Sequence, residues 1–132
     1  MKATVEWQGQ LNFKATNENG QSVLLSGEGD HPSPMEMVLQ SVGACSSIDV
    51  VMILEKARQQ ISGCECVLSA ERADSVPKVF TKIHATYRIT GKDLNEKQVK
   101  RACDLSMEKY CSVSLMLKNS VEITYDYEII ES

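Results

Sequence analysis

The stretch Ser33-Pro34-Met35-Glu36-Met37-Val38-Leu39-Gln40-Ser41-Val42-Gly43-Ala44-Cys45-Ser46-Ser47-Ile48-Asp49 decides how the rest of the chain is arranged. It opens with a helix signature. Ser33 can accept from the free N–H groups of a first turn, Pro34 suits the first helical position, and Glu36 completes a capping box. The spacing predicts a helix from Pro34 to about Gln60, with Glu55, Lys56, Arg58 and Gly63 marking its end. Val38, Leu39, Val42, Cys45, Ile48, Val51, Met52, Ile53 and Ala57 wrap more than one face, so burial on several sides is expected. Gly43 to Ser47 form a patch of small residues that another element can approach closely.

Around this helix the chain reads as strands. Ala3 to Trp7 alternates, Leu11 to Ala15 resumes after Gln8-Gly9-Gln10, and Val23 to Leu25 follows the turn Asn17-Glu18-Asn19-Gly20. After the helix, Cys64 to Ala73 and Lys78 to Thr90 read as strands joined near Asp74-Ser75-Val76-Pro77. Gly91-Lys92-Asp93 reads as a turn and N-cap before a second helix, Leu94 to about Tyr110. Val121 to Ile130 alternates as a last strand. No repeat or linker interrupts the chain. The expectation is a single α+β domain over residues 1–132: N-terminal antiparallel strands, a long buried central helix, further strands, a second helix and a final strand.

The chain has 132 residues and a net charge of −4, with no basic block. That balance argues against a nucleic-acid surface. The longest strongly apolar run, Val50 to Leu54, is far below the ~20 residues of a membrane span. The start, Met1 to Trp7, has no apolar signal core, so a cytoplasmic location is expected and no membrane partner.

Five cysteines in such a chain do not read as a disulfide framework, and the odd number forbids complete pairing. Cys64-x-Cys66 is the only close pair, and His31 and His84 stand alone, so no metal site and no cofactor are expected. Cys64, Cys66 and Cys103 read as core. Cys45, on the helix, and Cys111, in Tyr110-Cys111-Ser112-Val113-Ser114, lie among small and apolar residues where one thiol can be enclosed yet reached by another. Two readings stand at this point: a pair of buried structural thiols, or redox chemistry. Asp49, one helical turn after Cys45, can orient a cation, and Ser46 and Ser47 can donate to an anion or bound ligand.

The segments Ser33 to Leu39, Gly43-Ala44-Cys45 and Tyr110 to Ser114, in this order of elements, resemble the OsmC/Ohr family, the osmotically inducible and organic hydroperoxide resistance proteins. Within it the chain looks most like the small YhfA-like branch. The resemblance covers nearly the whole chain. It implies an OsmC-like fold in an intertwined homodimer, and thiol-dependent reduction of small organic hydroperoxides in oxidative stress defence. It matches Cys45 to the peroxidatic cysteine and Cys111 to the resolving one, with an external dithiol as reductant. The chain departs from the peroxidase pattern in three places. No Arg precedes Arg58, which leaves Lys14 as the available N-terminal cation. Met35 follows Pro34, with Glu36 one step later, and Ser112 rather than Pro follows Cys111. These departures support an alternative reading: a small-molecule binding or redox-sensing module with little turnover.

Overall fold

The structure, a computed structural model, describes all 132 residues. The first 38 residues and residues 39–132 form two compact units. In the first, β1 (Ala3–Trp7), β2 (Asn12–Asn17) and β3 (Ser22–Ser26) make an antiparallel sheet in that order. The tight turn after β2 follows from Asn17, whose Oδ1 accepts from the N–H groups of Asn19 and Gln21, and from Gly20 at φ 82°. Register sets Val5 beside Ala15 and Val23, and Trp7 beside Phe13 and Leu25. These side chains share one face of the sheet, yet Trp7 is 65% exposed and Val5 63%. The only buried residue of this unit is Ser26.

The long helix α1 (Pro34–Lys56) starts as its capping box predicts. The Ser33 N–H donates to Glu36 Oε1, and the Glu36 N–H donates to Ser33 Oγ, each at 3.1 Å. It stops at Lys56, short of the expected Gln60. Arg58 takes a left-handed conformation (φ 59°) and the Gln59 N–H turns back to the Leu54 carbonyl. An αL residue need not be glycine, so the chain ended the helix before Gly63. Burial also differs from expectation. Val42, Ser46, Val50 and Leu54 form a single buried stripe, whereas Ile48 is 61% and Met52 50% exposed. By length and composition α1 could cross a membrane, with a mean hydropathy of 1.8 over its most apolar 18 residues. The five-residue run singled out in the sequence understated this, because hydropathy averages over Gly, Ala and Cys as well.

In the second unit, β4 (Gln60–Arg72), β5 (Phe80–Lys92) and β6 (Glu122–Glu131) form a sheet in that order. β4 and β5 are antiparallel; β6 runs parallel to β5. A parallel pair needs a crossover, supplied by the helices between them. Helix α2 (Glu96–Leu105) is capped by Asn95, whose side chain accepts from the Lys97 and Gln98 N–H groups. The expected cap near Asp93 is displaced because Gly91 and Lys92 remain in β5. The core unites Val50 and Leu54 of α1, Ala85, Tyr87 and Ile89 of β5, and Val99, Ala102, Cys103 and Met107. Gly43 allows close approach, as expected of the small-residue patch: a Cβ there would lie 2.7 Å from the Leu68 side chain.

The second helix is not continuous to Tyr110. It changes at Ser106–Tyr110 into a π-helical turn, and after Cys111 a short helix α3 (Ser112–Leu117) begins. Hydrophobic periodicity does not distinguish a π turn from an α turn over five residues, so the break had no sequence signal.

Candidate active site

The site is built by the break after α2. The π turn closes with the Cys111 N–H donating to the Ser106 carbonyl at 2.7 Å. The Ser106 hydroxyl faces the carbonyl of Ser46 at 2.9 Å and Asp49 Oδ2 at 3.0 Å. One residue thus ties the segment carrying Cys111 to the turn of α1 that follows Cys45. Such widened turns concentrate at functional sites because they re-aim the residue that follows. Cys111 then leaves the helix in extended conformation and caps α3, its Sγ accepting from the Ser114 N–H at 3.5 Å.

Cys111 is fully buried and Cys45 half-buried, and both are free thiols. Burial pushes the Cys111 thiol above its ordinary range. The Ser114 hydroxyl and N–H draw it down, and a hydrogen-bonding interaction with the Cys45 side chain raises it again. The Cys45 side chain of α1 is thus near enough to act on Cys111, which caps α3. The Cys111 thiol also donates to Ser114 Oγ (3.2 Å), and the Ser114 hydroxyl donates to Met107 Sδ (3.6 Å). Behind Met107, the Tyr87 hydroxyl lies 2.6 Å from Ser46 Oγ and 3.1 Å from Met107 Sδ. The Ser46 hydroxyl donates in turn to the Val42 carbonyl at 2.7 Å. Every hydroxyl in this buried row has an acceptor, as burial away from water demands.

Burial raises the other three thiols as well. Cys64 and Cys66 share one face of β4, and the Ser47 side chain draws both thiols down, but burial outweighs this and raises both, Cys66 to about 11. Burial pushes Cys103 up to about 12. At neutral pH these groups are neutral thiols, consistent with the core role read from the sequence.

Cys45, Asp49 and Cys111 are brought together in the second unit. Asp49 is held by Ser106 and lines a cleft of about 650 Å³ with Met52, Ile53, Lys56, Arg101 and Tyr110. Lys56 and Arg101 belong to no ion pair. Glu36 and Lys14 belong to the first unit. Glu36 is occupied by the capping box, and Lys14 stands exposed on β2 between Glu6 and Leu24. Sequence reasoning missed the polar roles of Ser106, Ser114, Met107 and Tyr87. Ser114 had a faint signal, because a residue three positions after a helix-capping side chain is where its N–H partner falls. Tyr87 and Met107 had none, since each reads as an apolar core position.

Comparison with known proteins shows the family and the fold. A family profile described as OsmC-like protein matches residues 27–126. Protein YhfA of Escherichia coli strain K12 is 48% identical over 132 residues, covering 98% of each chain. Among solved structures, a hypothetical protein from Aquifex aeolicus VF5 superposes with a TM-score of 0.91 at 30% identity, covering 99% of this chain and 96% of that one. An organic hydroperoxide resistance protein OsmC from Legionella pneumophila, described as a predicted redox protein, superposes with a TM-score of 0.72 at 15% identity, covering 97% of each. The last is a likeness of fold.

Proposed function

The chain belongs to the OsmC-like protein family, and from that premise we propose that it reduces organic hydroperoxides with the Cys45/Cys111 pair in oxidative stress defence. Family membership supports a stress-related redox role; the reaction is our reading of the site. The Cys45 thiolate attacks the terminal oxygen of ROOH, the O–O bond breaks, ROH leaves and Cys45 becomes a sulfenic acid. Cys111 attacks that sulfur, and water and a disulfide form. An external dithiol then returns both thiols to the reduced state. The observation that carries this reading is that Ser106 fastens the segment of Cys111 to the Ser46 carbonyl, next to Cys45, whose thiol acts on Cys111. Asp49 is a supporting group, joined to the corner through Ser106.

We read the working molecule as a cytoplasmic homodimer. The exposed apolar residues Ile48 and Met52 of α1, and Val5 and Trp7 of the N-terminal sheet, are surfaces that call for a cover.

Single-turnover oxidation tests the reaction. Reduced protein is mixed with one equivalent of cumene hydroperoxide, and the Cys45–Cys111 disulfide is followed by mass spectrometry. Rapid stoichiometric closure that Cys45→Ser abolishes is expected. Oxidation no faster than that of free cysteine at the same pH would sink the proposal.

A second reading has its own observation. The cleft beside Asp49 joins an apolar floor to Lys56 and Arg101, two cations without partners. That chemistry suits retention of a small molecule with an apolar body and an acidic head. On this reading the protein binds or senses and turns over slowly. Native mass spectrometry that finds a co-purified ligand, with slow oxidation, favours it. Ligand-free protein that oxidises fast excludes it.

A further inference from the structure

Cys111, Ser114 and Met107 are 0%, 2% and 7% exposed, so water has little part in their hydrogen bonding. In the resting thiol form Ser114 Oγ sits between two sulfurs. It accepts from Cys111 Sγ at 3.2 Å and donates to Met107 Sδ at 3.6 Å. A thiol that attacks must first lose its proton, and a thiolate donates nothing. The acceptor role of Ser114 toward Cys111 then has no purpose, and the buried sulfur anion needs donors. Two are in place: the Ser114 N–H, at 3.5 Å, and the Ser114 hydroxyl, once it turns away from Met107. Met107 is not stranded by that turn, because the Tyr87 hydroxyl lies 3.1 Å from its Sδ.

We propose that Ser114 is a positioning residue for Cys111, acting as a two-way hydroxyl rotor: it accepts from the resting thiol while donating to Met107, and swings its proton onto Cys111 as the thiolate forms. The proposal rests on the reading of Cys45 and Cys111 as a redox pair. The step balances without a further reagent. The Cys111 thiolate forms the S–S bond to the Cys45 sulfenic sulfur, the S–OH bond breaks, and hydroxide takes up the proton that Cys111 released, giving water. Ser114 gains and loses no proton; it only changes which sulfur it serves.

The groups that face Cys111 from its neighbours are Cys45 of α1, Cys66 of β4 and Tyr87 of β5. Burial keeps Cys66 and Tyr87 neutral at pH 7. Asp49 of α1, the charged group joined to this corner, is held by Ser106 and not by Ser114.

The test is a titration that does not depend on activity. Cysteine labelled with ¹³C at Cβ is incorporated into the full-length protein, and the Cys111 resonance is assigned by its loss in Cys111→Ser. Ser114→Ala removes the hydroxyl donor and is expected to raise the Cys111 midpoint by about one pH unit, the size of one hydrogen bond to a charged group. Ser114→Thr keeps the hydroxyl and should restore the midpoint. Met107→Leu removes the competing acceptor and should lower the midpoint by a few tenths of a unit. General damage to the corner would move Ala and Leu variants in the same direction, whereas the rotor moves them apart. In single turnover, Ser114→Ala should delay closure of the disulfide about tenfold at pH 7 without slowing oxidation of Cys45. A midpoint unmoved in Ser114→Ala, or raised in Met107→Leu, overturns the rotor. If the midpoints separate as stated but the wild type does not consume hydroperoxide, the peroxidase reading falls and the rotor stands.

Discussion

The two units of this chain handle apolar side chains in opposite ways. Residues 39–132 contain every buried hydrophobic side chain, from Val42 to Val121, and all five cysteines. Residues 1–38 contain as regular a sheet, with matched registers and a well-made turn, but leave Val5, Trp7, Leu11, Val23 and Leu24 about half exposed or more. The contrast teaches that alternation in a strand specifies a face and does not specify what covers it. The second unit covers its own sheet with helices. The first presents an apolar face whose partner, on our reading, is a second copy of the chain.

Substitutions can break or sharpen that contrast. The largest effect is expected in the self-covered unit. A Cβ at Gly91 would fall 2.3 Å from the Gln60 carbonyl oxygen and 2.8 Å from Leu94, and backbone cannot swing aside as a side-chain tip can. Gly91→Ala should therefore lower stability by about 3 kcal/mol in urea unfolding, as overpacking does. An unchanged midpoint would mean that β4 and β5 part easily there.

Next comes the uncovered face. Trp7→Ser and Val5→Ser should leave secondary structure intact by circular dichroism and shift the protein from dimer to monomer in light scattering at micromolar concentration, a loss of tenfold or more in association. A double variant that remains as associated as the wild type removes this face from the interface.

The smallest effect is a slope with pH, confined to the second unit. Cys66 and Cys103 rise from the ordinary thiol value of 9.0 to about 11 and about 12 through burial. A raised folded value means that the folded chain keeps its proton longer than the unfolded chain. The stability tied to this is fully present below pH 9 and is lost as pH rises toward 11 and 12. Urea midpoints should fall over that window, and Cys103→Ala should flatten part of the fall. A variant with the same slope as the wild type would assign the alkaline loss to the tyrosines, whose hydroxyls burial also raises.

Much of the fold was legible because it rests on local rules. The capping box at Ser33 and Glu36 is a contact between residues three apart, and both of its hydrogen bonds formed. The turn at Asn17 to Gly20 is likewise local. The end of α1 was not legible, because Arg58 in the left-handed region has no residue preference to announce it. Nor was the parallel pairing of β6 with β5, which depends on how the chain returns after α2 and α3.

The candidate site divides along the same line. The sequence by itself determined which elements exist, where the long helix begins, and that Cys45 and Cys111 stand in small, apolar settings, because propensity, capping and alternation act over a few residues. Only the tertiary structure decided that Ser106 fastens the segment of Cys111 to the turn after Cys45, and that Ser114 stands between Cys111 and Met107. The reason is physical. A buried polar group must find its partner wherever packing brings one, and packing joins residues that are remote along the chain and carry no mark of each other in it.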